Sequence, residues 1–157
     1  MPPSLQQATA EQIKTLIEQT SRQLHALPDA DAHRKPAPGK WSVAEILGHL
    51  IDSAANNHQR FIRAQQLEPG EPYAGPRYAQ DPWVALNGYQ EAPWPEIVDL
   101  WQLYNRHLAR VIARIPDELL TAEMRVGPLE PATLGFIIED YLAHMSHHVA
   151  QIRKLTE

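Results

Sequence analysis

The chain has 157 residues, with 14 Lys and Arg against 19 Asp and Glu, a formal net charge of -5 and no cysteine. That length suits one domain over residues 1–157 with a self-sufficient core, and the missing cysteines exclude disulfides, thiolate metal sites and a cysteine nucleophile. No basic stripe is present to neutralise phosphates, no apolar run approaches a membrane span, and the N-terminus lacks a signal-peptide pattern, so the expectation is a cytoplasmic protein with neither nucleic acid nor membrane as partner.

Ile13, Leu16, Ile17, Leu24 and Leu27 recur at helical spacing and predict a first helix from about Leu5 to Leu27, with Thr9 able to cap its start and Pro28 marking its end. Pro28 to Lys40, with three prolines and Gly39, reads as loop, and Asp29, Asp31 and His33 within it read as solubility. Ser42-Val43-Ala44-Glu45 is a capping box, and Trp41 before it can staple against Ile46. Val43, Ile46, Leu47, Leu50, Ala54, Phe61 and Ile62 then carry a second helix to about Leu67.

Glu68 to Pro95 holds six prolines, yet Tyr73, Tyr78, Trp83, Tyr89 and Trp94 lie among them. Disordered linkers are poor in aromatics. The segment is therefore read as an ordered excursion with a short helix near Pro82 to Tyr89, serving either as a lid over a site or as cover for the core. A third helix follows from about Pro95 to Ile115, stopped by Pro116, and a fourth runs from about Thr133 to Leu155. With no strand pattern of comparable strength, the fold class is an all-α four-helix bundle, and the long connection after the second helix permits a crossover.

The fourth helix contains His144-Met145-Ser146-His147-His148. Side chains four apart share a helix face, about 5–6 Å between Cβ atoms, so His144 and His148 can converge on one ion. Ile137, Tyr141, His144, His148, Ile152 and Leu155 follow the rhythm of a core-facing stripe, whereas His147 aligns with Asp140, Ala143 and Gln151 and falls on the rim. His49 is embedded in the apolar part of the second helix, where a buried imidazole needs a partner. The three candidate metal ligands are thus His49, His144 and His148, a set suited to one divalent zinc, nickel, copper or iron ion, with positions left open for water or substrate. Asp52 or Ser53, Asn56 and Arg60 continue from His49 as a polar stripe, which either lines a pocket with Asn56 and Arg60 facing an anionic substrate or is an ordinary solvated face. Asp140 and Glu139 are candidates to orient an imidazole.

Gly39-Lys40-Trp41-Ser42-Val43-Ala44-Glu45-Ile46-Leu47-Gly48-His49-Leu50, then Asp52-Ser53 and Arg60-Phe61, resembles the second helix of the DinB-like superfamily, closest to its YfiT-type members. His144-Met145-Ser146-His147-His148-Val149-Ala150-Gln151-Ile152 resembles that family's other hallmark, and Pro72-Tyr73, Trp101, Asn105 and the Ile115-Pro116 turn also fit. The resemblance implies a four-helix bundle with a long crossover between helices two and three, a homodimer, and zinc or nickel held by His49, His144 and His148. It also implies an activity on small molecules. The leading expectation is a thiol-dependent S-transferase that uses a low-molecular-weight thiol against small electrophiles. The alternatives are a metal-dependent hydrolase, with Asp52 shuttling protons, and a non-catalytic metal-binding protein associated with stress.

Overall fold

The computed structural model describes residues Met1–Glu157. Four long helices form the body: α1 (Leu5–Ala26), α3 (Val43–Ala64), α5 (Trp94–Ala113) and α6 (Leu134–Leu155). Between them lie two short helices, α2 (Asp29–His33) and α4 (Gln80–Asn87), and three short strands, β1 (Tyr73–Gly75), β2 (Glu123–Val126) and β3 (Ala132–Thr133). A single 3-10 turn, Asp117–Leu119, follows α5.

The helix starts are chemically explicit. Ser4 caps α1 in a capping box with Gln7, so the cap lies before Leu5 rather than at Thr9, which is buried inside the helix. Ser42 and Glu45 form the reciprocal box at α3, and the Thr133 side chain caps α6. Two further features depart from the sequence reading. Asp29–His33 is helical, and these residues have structural partners: the Asp29 carboxylate accepts from the Trp94 backbone N–H at 3.0 Å, and His33 Nε2 bonds the Ala92 carbonyl at 2.9 Å. There is also a sheet, in the order β1-β2-β3, with β1 parallel to β2 and β2 antiparallel to β3. Its strands are two to four residues long, too short to give an alternating pattern.

Tertiary hydrogen bonds fix the helix directions. Trp94 Nε1, at the start of α5, donates to the Leu24 carbonyl at the end of α1, so these helices are antiparallel. Ser42 Oγ, at the start of α3, donates to Gln90 Oε1 just before α5, so α3 and α5 run the same way. Arg153 near the end of α6 donates to Thr20 Oγ1 near the end of α1, which makes those two parallel. The bundle is therefore up-down-down-up. The segment from Gln65 to Pro93 is the crossover that returns the chain to its starting end, carrying β1 and α4 on the way. Each long helix touches two others: α1 lies against α5 and α6, and α3 lies against α5 and α6.

A contiguous core of 32 buried residues fills the space between them, with Trp94, Trp101 and Phe61 among its largest members. One small residue sets how close the crossover comes to α3. A Cβ on Gly48 would stand 2.1 Å from Tyr89 Cδ2 and 2.3 Å from Cγ, because the Tyr89 ring lies flat on the α3 backbone. In a free helix Gly→Ala would gain about 1 kcal/mol, whereas forcing a ring base out of a packed site costs about 1–3 kcal/mol. Gly48→Ala is therefore expected to lower the unfolding free energy by up to about 2 kcal/mol in thermal or denaturant unfolding. A stabilised variant would mean that Tyr89 moves aside freely.

Candidate metal centre and its cavity

His49 faces α6 from the middle of α3 and is 1% exposed. His144 and His148 stand one turn apart on α6 and are half-buried. His49 Nε2 lies 3.0 Å from His144 Nε2, the separation of a hydrogen bond in which one neutral imidazole donates to the other. The three rings stand edge to face, with centroids 4.7–4.9 Å apart. One ligand nitrogen from each lies within 4.8 Å of the other two.

The buried stripe of α6 is Leu134, Ile138, Tyr141, Met145, Val149 and Ile152. The expected stripe included Ile137, His144, His148 and Leu155; these flank it instead, the first three half-buried and Leu155 exposed. The shift is physically sensible: a histidine pair at the seam edge meets both a buried partner and open space. His147 is exposed, and its ring touches only the outer side of the group, 4.9 Å from that of His148.

The surroundings decide protonation. Burial, reinforced by the neighbouring imidazoles, pulls His49 down to about 4. Burial and the nearby His148 do the same for His144, with partial relief from the Asp140 charge. Burial also lowers His148, offset in part by its bond to Gln151. All three rings are thus neutral near pH 7, the state in which an imidazole nitrogen offers a lone pair. Gln151 Oε1 accepts from His148 Nδ1 at 2.8 Å, which leaves Nε2 as the free acceptor. His49 Nδ1 is buried with no hydrogen-bond partner, and the Trp41 ring lies 5.0 Å away. Three neutral nitrogen donors, a tautomer fixed from behind and a buried ring with one nitrogen unpaired make a donor set that fits a divalent transition metal.

The group opens onto a cavity of about 740 Å³, lined by His49, His144, Arg60, Arg77, Tyr78, Gln80, Asp81 and Asp140, among others. A smaller hollow of about 150 Å³ adjoins His144, between Arg60, Asn57, Ser53, Tyr78 and Tyr141. The polar stripe of α3 divides accordingly. Arg60 lines both spaces. Asn56 lines neither: it bonds the Asp52 carbonyl of its own helix and lines, together with Arg60, Arg63 and Tyr73, a third hollow that contains no histidine. Asn57 takes the place expected for Asn56, accepting from Arg60 Nη1 at 3.1 Å.

Asp52 is buried and lines neither space; its Oδ1 accepts from the Tyr89 hydroxyl at 2.6 Å and from Asn87 Nδ2 at 2.9 Å. Burial pushes its carboxyl up to about 6 despite those two bonds. Its geometry is that of a tether for the crossover, not of a shuttle beside the histidines. Asp140 lines the cavity without bonding an imidazole, and Glu139 is exposed. Gln151, Asn57, Tyr78, Arg77 and Tyr89 were not singled out from sequence. Of these only Gln151, three residues after His148, carried a usable spacing signal.

The sequence profile of the DinB superfamily matches residues 12–152. The chain belongs to the DinB superfamily. Its fold is shared with YfiT from Bacillus subtilis, a probable metal-dependent hydrolase with an unusual four-helix bundle topology: TM-score 0.82, 20% identity, covering 96% of this chain and 85% of YfiT. It is also similar to the mycothiol-dependent maleylpyruvate isomerase, with TM-score 0.73 and 12% identity over 97% of this chain and 61% of the isomerase. A histidine-to-alanine variant of that isomerase aligns with TM-score 0.72 and 12% identity. At these identities the likeness is one of fold. No curated protein matches the sequence. No helix of this DinB-superfamily chain is long and apolar enough to cross a membrane.

Neutral imidazoles give a pH prediction. Ordinary imidazoles of pKa about 6.5 would be mostly protonated at pH 6, and three of them would release roughly two protons on binding a metal. With His49 and His144 titrating near 4 and His148 below its ordinary value, release at pH 6 should be well under that. Affinity should change little at pH 6 and weaken as the pH is lowered further and protons compete for the three rings. Calorimetric zinc titrations in buffers of different ionisation enthalpy measure the release directly; two protons or more at pH 6 would contradict the assignment.

Proposed function

We propose that this protein is a metal-dependent enzyme in which His49, His144 and His148 hold one divalent ion, zinc or nickel, and the cavity beside them brings a low-molecular-weight thiol together with a small electrophile. The observation that carries the reading is the convergence of three neutral imidazoles beside an open cavity of about 740 Å³, two of them, His49 and His144, on its wall. A structural site is closed by its protein ligands; three ligands at the edge of an open space leave room for a reactant. The ion would supply Lewis acidity, letting a thiol or water ionise near neutral pH.

The protein's own groups supply positioning. Gln151 holds His148 in the tautomer with Nε2 free, Trp41 and the α3 core keep water from His49, and Tyr78 and Arg60 shape the wall opposite. No carboxylate hydrogen-bonds any of these three imidazoles, which suits a thiol because it ionises more readily than water and depends less on a neighbouring base. Hydrolysis is the second reading. It is supported by the fold likeness to YfiT and by Asp140, a carboxylate on the cavity wall able to accept a proton from water.

The test is monochlorobimane consumption by zinc- or nickel-loaded protein, with and without a panel of small thiols, beside a panel of ester and amide substrates. Transfer predicts acceleration only when thiol and metal are both present, hydrolysis predicts turnover without thiol, and silence in both assays favours a metal-binding protein without catalysis. Metal content by plasma mass spectrometry gives an independent check. His49→Ala and His148→Ala should lose the ion, while His147→Ala should keep about one equivalent. Gln151→Ala should weaken binding by about 10–100-fold, the usual cost of removing a group that orients a ligand.

A further inference from the structure

Of the acidic and basic side chains other than histidine, three are buried: Glu45, Asp52 and Arg60. Two are at least partly compensated. Glu45 pairs with Lys35 at 2.7 Å, and Asp52 accepts at Oδ1 the two hydrogen bonds that tie down the crossover, its Oδ2 staying buried without a partner. Arg60, 9% exposed, has no carboxylate within ion-pair distance. Its Nη1 donates to Asn57 Oδ1 and its Nη2 to the Pro76 carbonyl at 3.4 Å, so three of its five N–H groups have no protein acceptor. A guanidinium does not shed its proton to escape burial, and an unpaired buried cation is costly. Arg60 lines the cavity it shares with His49 and His144, the smaller hollow beside His144, and a third hollow it shares with Asn56 and Arg63.

We propose that Arg60 is the seat of a substrate carboxylate, making the cavity selective for small anionic electrophiles whose reacting carbon faces the three histidines. The anion site stands on Arg60 alone, and only the word electrophile rests on the function proposed above. Asn57 holds one arm of the guanidinium and the Pro76 carbonyl the other, so the fork is oriented before an anion arrives, as planar bidentate recognition requires. Arg77, exposed at the cavity mouth, adds positive charge on the approach. The resident competitors are Asp140, which lines both spaces with Arg60, and Asp81, which lines the larger one; neither makes an ion pair with Arg60, and because both are exposed, water compensates their charges where they stand.

The first measurement needs no metal and no turnover. In metal-free, nitrogen-15-labelled protein, the Nε–Hε resonance of Arg60 is assigned by its loss in Arg60→Gln, or in Arg60→Lys if the glutamine variant does not fold. Acetate, acetamide and inorganic phosphate are then titrated at constant ionic strength. The expected result is a saturable shift with acetate, centred on Arg60, and none with acetamide. Equal shifts for acetate and acetamide, no saturable shift, or uniform shifts across all arginines would overturn the proposal; tighter binding of phosphate would overturn the carboxylate assignment.

The second measurement compares bromoacetate with bromoacetamide as electrophiles for the zinc-loaded protein and a small thiol. Sulfur displaces bromide, the C–S bond forming as C–Br breaks, and the thiol proton passes to buffer. The kcat/KM ratio of acid to amide should fall by about tenfold or more in Arg60→Gln, the value of a charge-assisted hydrogen bond. An unchanged ratio counts against Arg60. If neither electrophile is consumed, the proposed function fails, while the resonance titration still decides the anion site.

Discussion

An imidazole with 1% of its surface exposed, at the contact between α3 and α6, is the constraint on which the rest of the molecule turns. A polar ring so placed must find a partner, and the nitrogen 3.0 Å away belongs to a second imidazole from the antiparallel helix. Neither ring can carry a proton cheaply beside the other, so burial and mutual repulsion keep the pair neutral. The same condition gives three nitrogens usable as ligands. It also requires α6 to pack alongside α3, which the up-down-down-up arrangement provides.

Successive turns of α3 divide the remaining work. Gly48 and Asp52 receive the crossover, the first by lacking a Cβ where the Tyr89 ring lies and the second by accepting the Tyr89 hydroxyl. His49 turns to α6. Ser53, Asn57 and Arg60 line the space next to His144. The small sheet completes the enclosure. β1 delivers Pro76, whose carbonyl meets Arg60, and β2 supplies Val126 to the cavity wall. β3 leads directly into the Thr133 cap of α6. Crossover and final helix are thus held to one another before either reaches the histidines.

The parts legible in sequence were those written in local chemistry. The Ser42–Glu45 box, the apolar rhythm of four helices and the i,i+4 pair His144 and His148 each depend on neighbours within a turn or two. His49 was legible because an imidazole among Ile46, Leu47 and Leu50 is out of place without a partner. What escaped depended on distant residues. Asp52 looked like pocket chemistry because nothing nearby announced that Tyr89, 37 positions on, would reach back to it. Asn56 and Asn57 differ by 100° of helix rotation, and only the position of Tyr78 and Tyr141 decides which one faces the hollow. The strands were invisible because two to four residues carry no period.

The parallel pairing of Tyr73 with Met124 joins residues about fifty positions apart by main-chain hydrogen bonds on a very short ladder. Closing so long a loop for so few bonds gives little net gain until the helices already stand in place. The β1–β2 ladder is therefore a late-forming contact and, by the same reasoning, among the first to open under native conditions. Sub-global opening of this kind would part the Pro76 and Tyr78 side of the cavity from the histidine side while the helical body persists. Entry and release of a reactant can then proceed through the least cooperative part of the molecule, and the ligand-bearing helices need not move.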